Sequence, residues 1–447
     1  MNSFPSASSI LLAAVWLLAP GCGSDGPGED DPSGATANDD AGPSGGPDDG
    51  ADDGADDGPS ATDGASGTGP DDGPDDGPDD GPDDGADDAT DGPDDGTDDG
   101  PEPPRACATA NETVAALPAG AWLEVPTPMA EVLPEEAVLL EVWGNSGPDS
   151  IMSAWTGGAF DTVRDRLIVT GGGHWDYAGN ELYAFDVGAL QWERLTDPSS
   201  LDGWSSGDDV MPDGRPPSRH TYNGILYLPP PVDRLWVNGG SVYGPGANSP
   251  RTWMFDFGTV EWSEVATSPF TGEGTAVYDA ERQRVYDNFN YHGMARYEIQ
   301  DDTWTVVHDP SVFGSLYRTA AYDPTRSQIV LAGQGETLVC SVSDAGDIDC
   351  STGASSGDTA MENAGPVGFV YAAPHDRYVG WDGGASVYVL DPVTLVWTEE
   401  VGSDAVPTAA ASNGTFGRWQ YSECHDAFVG VNDIDDPVYI YRLQGGA

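Results

Sequence analysis

The sequence predicts an all-β body, a six-bladed β-propeller, preceded by a signal peptide and a disordered Asp/Gly/Pro linker. Three observations predict it. First, an aromatic residue, a short polar turn and an apolar strand recur six times. They read FDTVRDRLIV from Phe160, YLPPPVDRLWV from Tyr227, YDAERQRVY from Tyr278, YDPTRSQIV from Tyr322, YAAPHDRYV from Tyr371 and YSECHDAFV from Tyr421. After a longer first interval the motif returns every 44–51 residues, the length of a four-stranded blade. Second, an acid is followed six positions later by tryptophan at Asp186/Trp192, Asp256/Trp262, Glu298/Trp304 and Asp391/Trp397. Third, the last unit ends at VYIYRLQGGA with no tryptophan strand, while Trp122-Leu123-Glu124-Val125, far upstream, matches WERL and WSEV. That segment is expected to supply the outer strand of the last blade and close the ring, removing open sheet edges.

The chain opens on an apolar run, Ile10–Leu18, followed by Ala19-Pro20-Gly21-Cys22. A short apolar segment ending in small residues reads as a secretory signal and is too brief to span a bilayer. Glycine before cysteine, with polar low complexity beyond, resembles a bacterial lipoprotein processing site, which implies acylation of Cys22; ordinary cleavage would leave that cysteine incidental. The expected segments are 1–22 (signal peptide and lipobox), 23–104 (linker) and 105–447 (propeller). The expected placement is export, with the lipid holding the protein at the outer membrane or cell surface.

Residues 23–104 hold 29 of the 77 acidic residues and no basic one. Around 71–88 the chain repeats DDGP or DDGA every four residues. No apolar position recurs, so nothing can be buried, and like charges extend the chain. Paired carboxylates suit calcium, but the fixed ligand spacing and closing glutamate of calcium loops are missing; a solvated spacer accounts for the composition. Beyond the linker stand 48 acids against 16 arginines, a net charge of −32, in a chain without lysine. A body so acidic repels phosphate, which argues against nucleic acid and anionic lipid headgroups as partners.

Export implies an oxidising compartment in which cysteines pair. The fourth unit lacks the tryptophan, and there Cys340 and Cys350 fall opposite each other if its hairpin pairs like the rest. A disulfide in place of the aromatic packing is geometrically reasonable. Cys107 and Cys424 would then staple the N-terminal segment to the last blade. Trp192, Trp262, Trp304 and Trp397 are assigned to packing between blades. A seven-bladed alternative requires Leu133–Val142 and the Leu201–Gly214 insertion to hide a degenerate unit; no aromatic–turn–strand motif is left over for it.

Arg166–Leu195, RLIVTGGGHWDYAGNELYAFDVGALQWERL, displays one unit in full. An apolar strand ends in the triplet Gly171–Gly173, a polar loop and a second strand follow, and a tight turn leads to the strand opened by Trp192. This resembles a Kelch repeat, as in the propeller domain of galactose-oxidase-like proteins, over about residues 118–443. In such blades the strands run outward from a central channel. The loops after the second strand and before the first open on one face, and loops on rigid scaffolds carry function.

On that face fall His174, Trp175, Asp176, Tyr177 and Asn180 of blade 1, and Arg219, His220, Tyr222 and Asn223 at the start of blade 2. Tyr291 and His292 of blade 3, Arg318 of blade 4, Trp381 of blade 5 and Arg418 of blade 6 join them. Polar and aromatic side chains around one mouth suit a ligand, and flat aromatic faces with amides suit sugars. Arg219, Arg318 and Arg418 read either as an anion-receiving mouth, since guanidinium groups bind carboxylate bidentately, or as partners of neighbouring acids. Blander readings stand beside these: the glycines permit close backbone approach, Asp176 and Asn180 hold turns, and His220 is a satisfied core histidine.

Three functions compete. The first is a surface-anchored, monomeric propeller that binds a carbohydrate or a protein without a cofactor. The second is a lyase acting on a uronate-containing polysaccharide, with His174, His220 and Tyr222 as base and acid and Arg219 on the carboxylate. The third, a galactose-oxidase-like oxidoreductase, requires a Tyr–Cys crosslink and a copper site of two His and two Tyr, and every cysteine here has another use. His174, Asp176, His220 and His292 lack any metal-specific spacing, so no metal is assigned.

Overall fold

The computed structural model describes residues 110–445 except 246, 291 and 309–316. The expected signal peptide, the linker, Cys22, Cys107 and Tyr291 lie outside the described residues. Six sheets make up the body, each of four antiparallel strands, with a short parallel fifth strand, Ser356–Gly357, on the outer edge of blade 5. Their innermost strands are Gly158–Asp161, Ile225–Leu228, Gly274–Asp279, Thr319–Asp323, Gly368–Ala372 and Trp419–Ser422. Each innermost strand touches the innermost strands of the blades before and after it, and the sixth touches the first. The ring is closed and has six blades.

Closure happens as the sequence predicts. Trp122–Val125 is the outer strand of blade 6, antiparallel to Val438–Tyr441, with Trp122 opposite Tyr441 and Val125 opposite Val438. The same position is filled in every blade by one cross-strand pair between the third and fourth strands. These pairs are Phe185/Trp192, Phe255/Trp262, Tyr297/Trp304, Cys340/Cys350, Leu390/Trp397 and Tyr441/Trp122. Blade 4 thus replaces an aromatic contact by a disulfide, Cys340–Cys350. Cys424 is disulfide-bonded as well.

The stretch weighed as a possible seventh blade is not a strand. Glu136–Val142 is an α-helix that buries Leu139 and Val142 against the blade 1 and blade 6 core. Leu201–Gly214 forms turns without a strand. Both insertions lie on the face onto which the innermost strands open. No helix among the described residues is long and apolar enough to cross a membrane.

At the opposite face the repeats clamp blades 1, 4, 5 and 6 each to the next. Asp161 and Asp323, both fully buried, end their inner strands and accept from the backbone of the following turn and from Arg164 and Arg326. Each arginine then forks onto an acid of the next blade, Arg164 onto Asp233 and Arg326 onto Asp376, with contacts of 2.6–2.9 Å. Histidine takes over between blades 5 and 6, where His375 meets Asp426 at 2.6 Å, and between blades 6 and 1, where His425 meets Asp165 at 2.7 Å. The aromatics that mark the repeats line this end of the channel, from Phe160 and Tyr227 round to Tyr421.

Candidate functional site

The channel between the inner strands holds a cavity of about 200 Å³ walled by small and apolar residues such as Ile225, Ala276, Ala320 and Phe369. Asn223 lines it, and His220 and Tyr222 precede Asn223 in the segment that enters blade 2. The candidate site lies at this mouth, between blades 1 and 2.

Glycine allows it to form. A Cβ on Gly173 would lie 2.4 Å from the Ser241 carbonyl oxygen and 2.7 Å from the His220 nitrogen, and its φ is +87°. Only glycine lets the loop from blade 1 press so closely on the segment entering blade 2. The loop is then fixed from several sides. Gly173 N donates to Tyr177 O at 3.0 Å, Asp176 N to Gly173 O at 2.7 Å, and His174 N to Val242 O at 3.1 Å. Asn145 N donates to Trp175 O at 2.7 Å, contributed by the helical insertion.

Backbone strain concentrates here. Left-handed residues recur in every blade at the first turn (Asp165, Asp233, Gln283, Ser327, Asp376, Asp426) as part of the repeat. Outside the repeat turns, five more sit at the mouth: Trp155 (φ 48°), His174 (35°), Trp175 (65°), Tyr222 (45°) and Phe416 (48°). Bulky residues in this region cost about 1–3 kcal/mol each and persist only where surrounding contacts impose them. Three of them surround His220, and a fourth, Phe416, meets Tyr222. His220 lies 5.0 Å from Trp155, 5.9 Å from His174 and 5.9 Å from Tyr222 between ring centroids, and Tyr222 lies 5.8 Å from Phe416.

The polar groups pair accordingly. His220 Nε2 is 3.0 Å from Asp176 Oδ2, and Asp176 Oδ1 accepts from Ser146 Oγ at 3.3 Å. The Tyr222 hydroxyl donates to Glu273 Oε1 at 3.3 Å. Burial, and then the Glu273 charge, push the Tyr222 phenol well above its ordinary value. His220 is buried and His174 exposed. On the outer rim Trp175 is 39 % exposed, with Tyr243 edge-on at 5.4 Å and Trp204 behind Tyr243 at 6.1 Å.

The other expected residues have different settings. Arg219 is buried and turned away from the channel, donating from Nη1 to Gly239 O at 2.9 Å, and burial lowers its pKa to about 10. Arg418 is buried on the carbonyls of Thr156, Val431 and Gly414, and burial lowers its pKa to about 9. Arg318 pairs with Glu336 at 3.0 Å. The three arginines therefore do not converge on one anion position. Tyr177 is buried on Glu181, Asn180 ties Ser199 and Pro216 to the loop, and Trp381 is buried against Trp122 and Trp419. His292 is exposed and stacked on Phe270 at 5.5 Å. Trp155, Phe416 and Glu273 were not among the expected residues. They enter from insertions without repeat, and no periodic signal marks them.

No family model matches the chain, and no curated protein matches it. Among solved structures, YjhT aligns with a TM-score of 0.44 and 10% identity over 67% of this chain and 95% of its own. A protein of unknown function from Bacteroides thetaiotaomicron aligns with a TM-score of 0.43 and 11% identity over 72% of this chain and 75% of its own. An auxiliary nutrient binding protein from Bacteroides ovatus aligns with a TM-score of 0.43 and 12% identity over 72% of this chain and 76% of its own.

Proposed function

We propose that the chain is an exported, lipid-anchored Kelch-type propeller that binds a carbohydrate at the mouth between blades 1 and 2. One observation carries this reading: five left-handed aromatic or histidine residues, which the repeat does not require, gather at one rim. Strain kept at one place implies that the side chains must be held there. Trp175 offers a solvent-exposed indole backed by Tyr243, while His174 and Asp176 offer polar partners beside it. Apolar platforms flanked by a few placed polar groups suit sugar rings and their hydroxyls. The glycine triplet and the repeated tryptophan support the Kelch type, and Gly21-Cys22 supports the anchor. The net charge argues against nucleic acid.

A glycan array probed with the purified full-length chain tests this. Trp175→Ala is expected to weaken retention about tenfold, as loss of an aromatic anchor does, with near-ultraviolet circular dichroism unchanged. If the unaltered chain retains no glycan, the reading fails.

A second reading, the uronate lyase, is favoured by the juxtaposition of His220 and Tyr222. With its phenol held protonated, Tyr222 would serve as the acid and a histidine as the base. Arg219 faces away, so the substrate carboxylate would need another partner. Ultraviolet absorbance of an unsaturated product, abolished by Tyr222→Phe, would establish this activity.

A further inference from the structure

We infer that His174, Asp176 and His220 form a binding site for a borderline divalent transition-metal cation, of the class of zinc or cobalt, with open coordination positions facing the channel mouth. One ligand atom from each residue lies within 4.8 Å of the other two, although the residues come from two blades. The separation of His220 Nε2 and Asp176 Oδ2 is 3.0 Å, a hydrogen-bond distance that opens by about 0.4 Å to become that of adjacent donors around a tetrahedral metal with bonds of about 2.1 Å. His174 is exposed at the rim, with its ring 5.9 Å from that of His220.

The site is built rather than casual. His174 and Asp176, two apart in sequence, both reach His220, from a loop that is left-handed at His174 and Trp175. The outer oxygen of Asp176 is held by Ser146, and the His220 ring is packed against Trp155. Such outer partners orient ligands in metal sites. Two imidazoles and one carboxylate select borderline cations over calcium and magnesium, which prefer all-oxygen surroundings. Three protein ligands leave room for water or a ligand hydroxyl, the arrangement of reactive rather than structural sites. The cation site holds whether or not Trp175 carries a sugar.

Cobalt(II) titration of the chelator-treated full-length chain tests this, in excess calcium to occupy the acidic residues elsewhere. One equivalent should bind and give visible d–d absorption. His174→Ala, Asp176→Asn and His220→Ala should each weaken binding more than about 100-fold, beyond the cost of losing an outer partner. His174→Ala removes an exposed side chain, so its folding is not at issue, and Asp176→Asn keeps the shape of the half-buried pair with His220. His375→Ala, which breaks a His–Asp pair at the opposite face, should leave binding unchanged. Absence of calcium-resistant cobalt binding, retention of it in His174→Ala and Asp176→Asn, or equal loss in His375→Ala would each overturn the assignment.

Discussion

Trp122 and Tyr441 face each other across the last blade with ring centroids 4.7 Å apart. They are the closing instance of the cross-strand pair that every blade carries between its third and fourth strands. Trp122 is 2 % exposed, packs against Trp381 and Trp419, and donates from Nε1 to Ala385 O at 3.0 Å. Trp122→Ala should cost about 3–5 kcal/mol, the range for emptying a buried aromatic site. The urea midpoint should fall by more than for Trp192→Ala, whose indole makes a similar pair but closes nothing. Equal shifts would show that ring closure does not depend on this residue.

The disulfide of blade 4 should behave as a local staple. It closes a loop of sequence separation 10, for which chain entropy gives about 2–3 kcal/mol. The double change Cys340→Ala/Cys350→Ala should lower thermal stability by that order. A change to Trp at 350 with Phe at 340 should recover part of it, since that pair fills the same position elsewhere.

Stability near neutral pH should be limited by Asp287. The residue is fully buried, Asn238 Nδ2 donates to its Oδ2 at 2.8 Å, Oδ1 has no hydrogen-bond partner among the described residues, and burial pushes its pKa up to about 7. The folded chain therefore holds a proton that the unfolded chain, with a value of about 3.9, has lost. Between about pH 4 and 7 the native state binds the extra proton, so this group makes stability fall as pH rises. Asp287→Asn should match the parent below about pH 4 and exceed it above about pH 7, by on the order of a few kcal/mol. A pH-independent difference in denaturation midpoints would refute this.

Arg326 should show the reverse dependence. Its hydrogen bonds, first among the causes, hold the Asp376 carboxyl down at about 2. That stability is present above the unfolded carboxylate value and is lost as pH falls towards about 2. Arg326→Ala should cost about 1–2 kcal/mol at neutral pH, discounted because Asp376 is half exposed, and the gap should close on acidification.

What was legible in the sequence was whatever recurs. Blade number, the closing strand at Trp122, and the register of Cys340 with Cys350 follow from spacing, because each blade must solve the same packing problem and so repeats the same residues at the same intervals. Placement of His174, Asp176 and His220 at one mouth follows from the same rule, since strand direction assigns each loop to a face. Spacing carries no information on where a side chain turns within its loop. Arg219 and His220 are adjacent in sequence, yet one turns onto the Gly239 carbonyl and the other onto Asp176, because neighbours in extended chain point to opposite sides. Trp155 and Phe416 reach the site from segments without periodicity, and only the tertiary packing of insertions against the rim, with their left-handed backbones, brings them there.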